Sequence, residues 1–199
     1  EDKLYVDGRA AIKESVKAYG IRNVAKLLRV PEHSIKDWAI RSYMPYIIYK
    51  KLNDTNNKVM VKYGAKGRNA IPSILELNRD LGLIIGLYLA EGSVSGVKVV
   101  YNLGKDEEKL ANRVKEKLEK IFSLKPKIKR DKSAIIVYVN SKILAKLFKK
   151  LFGSRAEDKD IPDFLLNTPK GFRVGIIEGY WLGDGHIRRH GSKTYMALA

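Results

Sequence analysis

Two acids, Glu91 and Asp184, stand at the same place in two related stretches. One is Ile84-Ile85-Gly86-Leu87-Tyr88-Leu89-Ala90-Glu91-Gly92 and the other is Ile177-Glu178-Gly179-Tyr180-Trp181-Leu182-Gly183-Asp184-Gly185. Each reads as an apolar helix that ends on a carboxylate and a glycine. A carboxylate at the negative end of a helix dipole is disfavoured by roughly 0.3–1 kcal/mol at an exposed site, so a positive partner is expected there. Small residues four apart, Gly86 with Ala90 and Gly179 with Gly183, place a flat strip on each helix and allow two backbones to approach closely. Packed through those strips, the helices bring both acids to one spot, where like charges repel unless a cation lies between them. Oxygen donors of this kind suit Mg²⁺, which also bridges phosphates. Two core helices with glycine caps after an unrelated acid would show either stretch singly; the repetition of the whole pattern favours a site.

The elements that position these acids follow from periodicity. Helix, strands, helix, strands and helix are expected in turn from Leu81 to Gly153, with Ser93-Val94-Ser95-Gly96 read as the turn into the first strand. Asp80 is the expected cap of the first helix. Val97 to Asn102 is a strand, and Leu110, Val114, Leu118 and Ile121 mark an amphipathic helix. Two strands flank the turn Asp131-Lys132-Ser133, and Ile143 to Leu151 form a further helix. Ile161-Pro162 opens a second, similar unit, in which Thr168 and Pro169 begin the helix that runs to Asp184, and His186 to Ala199 begins a strand.

At these residues the chain resembles the LAGLIDADG (dodecapeptide) homing endonucleases, over about residues 70–199. Glu91 and Asp184 match the metal-binding acid of that family's motif, and Gly92 and Gly185 match the glycine after it. The resemblance implies an α+β fold, the αββαββα saddle in pseudo-two-fold repeat. Its first repeat would cover 71–155 and an incomplete second repeat 156–199. It implies hydrolysis of both strands of a long DNA site with Mg²⁺ or Mn²⁺ held by Glu91 and Asp184, assisted by the carbonyls of Ala90 and Gly183. Lys159, two residues before Ile161-Pro162, matches a catalytic lysine of intein-type members. Its counterpart in the first half is Asn69, with Arg68 beside it. Lys142 is a second candidate lysine, and an ordinary helix-start lysine is the equal alternative. The neighbours of Glu178 make it a groove or surface acid.

The rest of the chain supports a polyanionic partner. The whole sequence has 39 Lys and Arg against 22 Asp and Glu, a formal charge of +17. Double-stranded DNA is the expected partner, because neutralising phosphates releases counterions. Lys125, Lys127 and Lys129 alternate along one strand, a row that suits a phosphate backbone or, equally, guards a sheet edge. Lys98, Arg130 and Lys132 join them as candidate DNA contacts. Cysteine is absent, so disulfides and thiolate zinc sites are excluded. No apolar run reaches a membrane span, and an intracellular protein with no membrane partner is expected.

Residues 1–52 read as a small all-α domain with helix-turn-helix spacing. Ala25, Leu28, Val30, Ile35 and Trp38 supply its core, and His33, Lys36 and Arg41 face DNA. Residues 53–70 read as a basic linker that includes Arg68 and a short strand. The whole is expected to act as a monomer with internal pseudo-symmetry when complete. The alternative is a DNA-binding transcriptional regulator that keeps the fold without cleavage; retention of both acids speaks against it.

Overall fold

The computed structural model describes residues 4–53, 58–190 and 193–198, with the backbone alone beyond residue 185. The chain divides into two compact units, residues 1–74 and 75–199.

The first unit contains α1 (Arg9–Tyr19), α2 (Ile21–Leu28), α3 (Glu32–Ile40) and α4 (Tyr46–Leu52). Gly20, at φ 76°, turns the chain between α1 and α2, and Arg29, at φ 56°, ends α2. The buried core is Ile12, Val24, Ala25, Leu28, Ile35 and Met44, with Val30 and Trp38 packed against it. This unit is not all helical. Strands β1 (Leu4–Val6), β2 (Met44–Pro45), β3 (Met60–Tyr63) and β4 (Ile71–Pro72) form an antiparallel sheet in the order β2-β1-β3-β4. The stretch read as a linker therefore contributes β3 to this sheet, with Val61 in the core.

The second unit opens with seven elements in the expected order, except that Ser93-Val94-Ser95, expected as part of a turn, lies in a strand. They are α5 (Arg79–Glu91), β5 (Gly92–Ser95), β6 (Lys98–Gly104), α6 (Glu108–Phe122), β7 (Lys127–Arg130), β8 (Ala134–Asn140) and α7 (Lys142–Phe152). Their strands form one antiparallel sheet in the order β5-β6-β8-β7. One face carries Val99, Tyr101, Leu103, Ile135, Val137 and Val139, all buried. Strand alternation turns the intervening residues to the other face. Tyr88 of α5 meets Tyr101, Phe148 and Phe152 edge-on or tilted, at centroid distances of 4.9–6.3 Å, and its hydroxyl donates to Gly153 O at 2.6 Å.

The cap of α5 differs from expectation. Asn78 is extended and its side chain accepts from Leu81 N at 3.0 Å, whereas Asp80 lies in the first turn and pairs with Lys117. Asp80 still favours the positive end of the helix dipole, without capping it. Similarly, the Thr168 hydroxyl donates to Leu165 O, and α8 (Lys170–Asp184) starts from Pro169 with no side-chain cap.

Helices α5 and α8 lie side by side in parallel. A Cβ on Gly82 or Gly86 would collide with the carbonyls of Phe172 or Ile176, and one on Gly175 or Gly179 with those of Arg79 or Leu83. The flat strip thus runs Gly82-Gly86-Ala90 against Gly175-Gly179-Gly183, one step longer than the motifs suggested. Only residues without a side chain permit this approach at the four inner glycines. At the start of the pair, Glu178 accepts from Arg79 and Arg113, each at 2.8 Å, tying α8 to α5 and α6. Glu178 is a structural acid.

Outer faces of the two helices differ. Ile84 is fully buried under the sheet, while its counterpart Ile177 is 70% exposed. After α8 come β9 (Gly185–His190) and β10 (Lys193–Leu198), paired as an antiparallel hairpin. The single strand expected from His186 onward is thus two strands; residue 199 lies outside the described residues.

Candidate active site and nucleic-acid surface

Parallel packing has a direct chemical consequence: Glu91 closes α5 and Asp184 closes α8, so both carboxylates occupy adjacent helix C-termini. Gly183 lies against Ala90 and the Glu91 side chain, 3.1 Å separating Glu91 Cγ from the position a Gly183 Cβ would take. Burial raises the Glu91 pKa above the usual carboxylate range, and the charges of Asp184 and Glu107 raise it further; Lys159 opposes them. Burial raises the pKa of the Tyr180 hydroxyl, and Asp184, one turn along α8, raises it further.

Lys159 is the positive partner that the helix ends require. Its Nζ donates to Leu89 O at 2.9 Å and to Ala90 O at 3.2 Å, and lies 5.6 Å from the Tyr88 ring centroid. These are carbonyls of the last turn of α5, where the helix supplies no N–H partner. Burial lowers the Lys159 pKa, while Asp184 and Glu91 pull it back up. Lys159 reaches the site from the segment between α7 and α8, after a short 3₁₀ turn, Ala156–Asp158.

Of the residues expected at this centre, the structure brings together Glu91, Asp184, Lys159, Ala90 and Gly183. Lys142 is not among them. It opens α7 beyond the far end of β8, is exposed, and is not one of the charges acting on Glu91. Spacing alone could not tell which end of the strand faced the acids. Sequence reading missed Tyr180, although its position four residues before Asp184 on the same helix was available as a signal.

Whether the donors fit a divalent metal ion follows from their chemistry. Among the described residues no cluster of three or more His, Cys, Asp or Glu could hold a metal. The donors are two carboxylates, of which the Asp184 charge raises the proton affinity of Glu91, together with helix-end carbonyls. Such all-oxygen sites suit Mg²⁺, which is commonly held by one or two carboxylates plus waters and substrate phosphates. The residues fit that group, with one qualification of the expected ligand set: Ala90 O already accepts from Lys159.

The open face of the sheet forms a grid fixed by strand register. Its rows are Ser95–Lys98–Asn140, Ser93–Val100–Tyr138–Lys127, Asn102–Ile136–Lys129 and Gly104–Ala134. Lys98 Nζ lies 5.2 Å from the Tyr138 ring centroid. Lys127 and Lys129 are exposed on the outer strand; Lys125 is exposed just before it and Lys132 in the following turn. Arg130 departs from expectation. It points to the helix side of the sheet, where it is paired with Glu108, because its parity in β7 is opposite to that of the lysines. The neutral members of the grid were missed in the sequence, though alternation through 134–140 marks them.

In the first unit, Lys36 and His33 are exposed on α3, and Arg68 is exposed in the loop before β4. Arg41 is held by Asp37 at 3.7 Å and by the Tyr43 hydroxyl at 2.6 Å.

Residues 78–153 match the model of the LAGLIDADG-like domain family. Several archaeal proteins are similar to it. An uncharacterised protein of Methanocaldococcus jannaschii is 28% identical over 160 residues, covering 75% of this chain and 20% of that protein. A DNA polymerase of Thermococcus kodakarensis is 30% identical over 130 residues, covering 63% of this chain and 8% of the polymerase. The RNA polymerase subunit Rpo1C of M. jannaschii is 28% identical over 163 residues, 79% of this chain and 18% of the subunit. The chain thus spans a fifth or less of the length of these curated relatives. A crystal structure of I-DmoI in complex with DNA and Mn is similar at 14% identity, over 56% of this chain and 64% of the other, with a TM-score of 0.41.

Proposed function

We propose that this protein is a site-specific endonuclease of double-stranded DNA, of the LAGLIDADG homing type, that uses Mg²⁺ or Mn²⁺. The observation that carries this reading is the convergence of Glu91 and Asp184 at the ends of two parallel helices, with Lys159 beside them. Glu91 and Asp184 would hold the ion, with Gly183 O as the carbonyl donor and Ala90 O as a second once Lys159 leaves it. Such an ion supplies positive charge opposite the scissile phosphate and polarises the attacking water. Lys159 holds the end of α5 in place and keeps an ammonium within reach of the incoming phosphate. Lys127 and Lys129 set the duplex on the sheet by phosphate contacts, and Lys98, Lys125 and Lys132 extend that surface.

Residues 21–40 pair two helices across a left-handed Arg29, and we read them as a helix-turn-helix that adds duplex affinity through Lys36. Similarity to short stretches of much longer DNA and RNA polymerases supports an origin inside a host protein, as in inteins.

Selection from a randomised duplex library in Ca²⁺, followed by transfer of the selected duplexes to Mg²⁺, tests the reading. Enrichment with cleavage supports it. Enrichment without cleavage in Mg²⁺ or Mn²⁺ supports instead a DNA-binding regulator.

A further inference from the structure

Resting on the DNA reading, the chemistry of the sheet face specifies what kind of base pair its centre accepts. Bidentate contact to guanine is made best by an arginine fork, and adenine by an asparagine or glutamine amide; thymine is recognised by apolar contact with its methyl group. Among the described residues, the open face carries no arginine, since Arg130 lies on the other side with Glu108. Its lysines stand at the outer strand or, for Lys98, beside the Tyr138 ring. What remains at the centre is Asn102, exposed and in register with the half-buried Ile136, and next to them Val100, opposite Tyr138.

Directly opposed residues on one sheet face hold their Cβ atoms about 4.5–5.5 Å apart. That spacing suits the major-groove edge of a single A·T pair, which offers the adenine N6 and N7 on one side and the thymine methyl on the other. Lys129, the next residue in the same row, stands on the outer strand where a phosphate contact would fix the register.

We infer that the Asn102–Ile136 pair is a specificity element that reads an A·T base pair, with the Ile136 and Val100 side chains packed against thymine methyl groups. Asn102 donates to adenine N7 and accepts from N6.

Replacement of thymine by deoxyuridine in the selected duplex removes the methyl groups and keeps every Watson–Crick hydrogen bond. The parent protein should bind the uracil duplex about threefold to fourfold less tightly for each thymine methyl that packs against Ile136 or Val100. Ile136→Ser combined with Val100→Ser should bind the two duplexes with nearly equal affinity, and Asn102→Ala should relax the preference for A·T at that position. Equal affinity of the parent for the thymine and uracil duplexes, or G·C selected throughout the half-site, would overturn the inference and leave the DNA reading intact. Failure to bind any duplex would overturn both.

Discussion

The Lys159 ammonium donates to the carbonyl of Ala90 at 3.2 Å, one residue before Glu91. A cation thereby sits at the helix end where two acids converge, and the carbonyl it occupies is one that a metal ion would use. Lys159→Met should leave the Leu89 and Ala90 carbonyls without their donor, at a cost of about 1–3 kcal/mol in the metal-free protein. Urea titration measures this. The same variant should bind Mn²⁺ more tightly than the parent by calorimetry, because it removes a competitor and a like charge.

Glu91 makes stability depend on pH in a specified direction. Its folded pKa lies above the ordinary value, so the folded state binds more protons than the unfolded one. Stability therefore falls as pH rises from the ordinary carboxylate range through the raised value. Without divalent ions, Glu91→Gln should melt about 1–3 °C above the parent at pH 7–8, and the two should converge near pH 4. A thermal melt across that range checks the sign.

The helix seam tolerates no side chain at its inner glycines. Gly86→Val or Gly179→Val should destabilise the second unit by about 3 kcal/mol or more, since both backbones must separate. Gly171→Ala, on the same helix with open space around it, should instead stabilise slightly, by up to ~1 kcal/mol.

Lysines on the open sheet face should set the salt dependence. Lys127→Ala with Lys129→Ala should reduce the slope of log K against log salt by roughly two units. Arg130→Ala should leave that slope near the parental value, because its guanidinium is engaged by Glu108 on the helix side.

Much of the second unit was legible in the sequence because its elements are long and strictly periodic. The run from Leu81 to Gly153 gave the αββαββα order, and small residues four apart gave the seam. The first unit was read as helical because β1 has three residues and β2 has two, too few for alternation to show. Their pairing with β3 is a tertiary fact. Glu91, Asp184 and Lys159 were found through motif positions. Arg130 follows from charge alone, which does not give the strand face it occupies, and Lys142 from its place at a strand end, which does not give the end that faces the acids. Asn78 was passed over as the cap of α5 because Asp80 also suits a helix start, and only the extended backbone at Asn78 decides between them.

The central claim is that two carboxylates at one helix seam hold the ion that cuts DNA. The most direct measurement is cleavage of the selected duplex in Mg²⁺ by the parent, Glu91→Gln and Asp184→Asn, with duplex binding in Ca²⁺ measured in parallel. The parent should cut both strands, and each variant should fall at least ~10²-fold in rate with binding retained. Parental cleavage rates in either variant would contradict the claim.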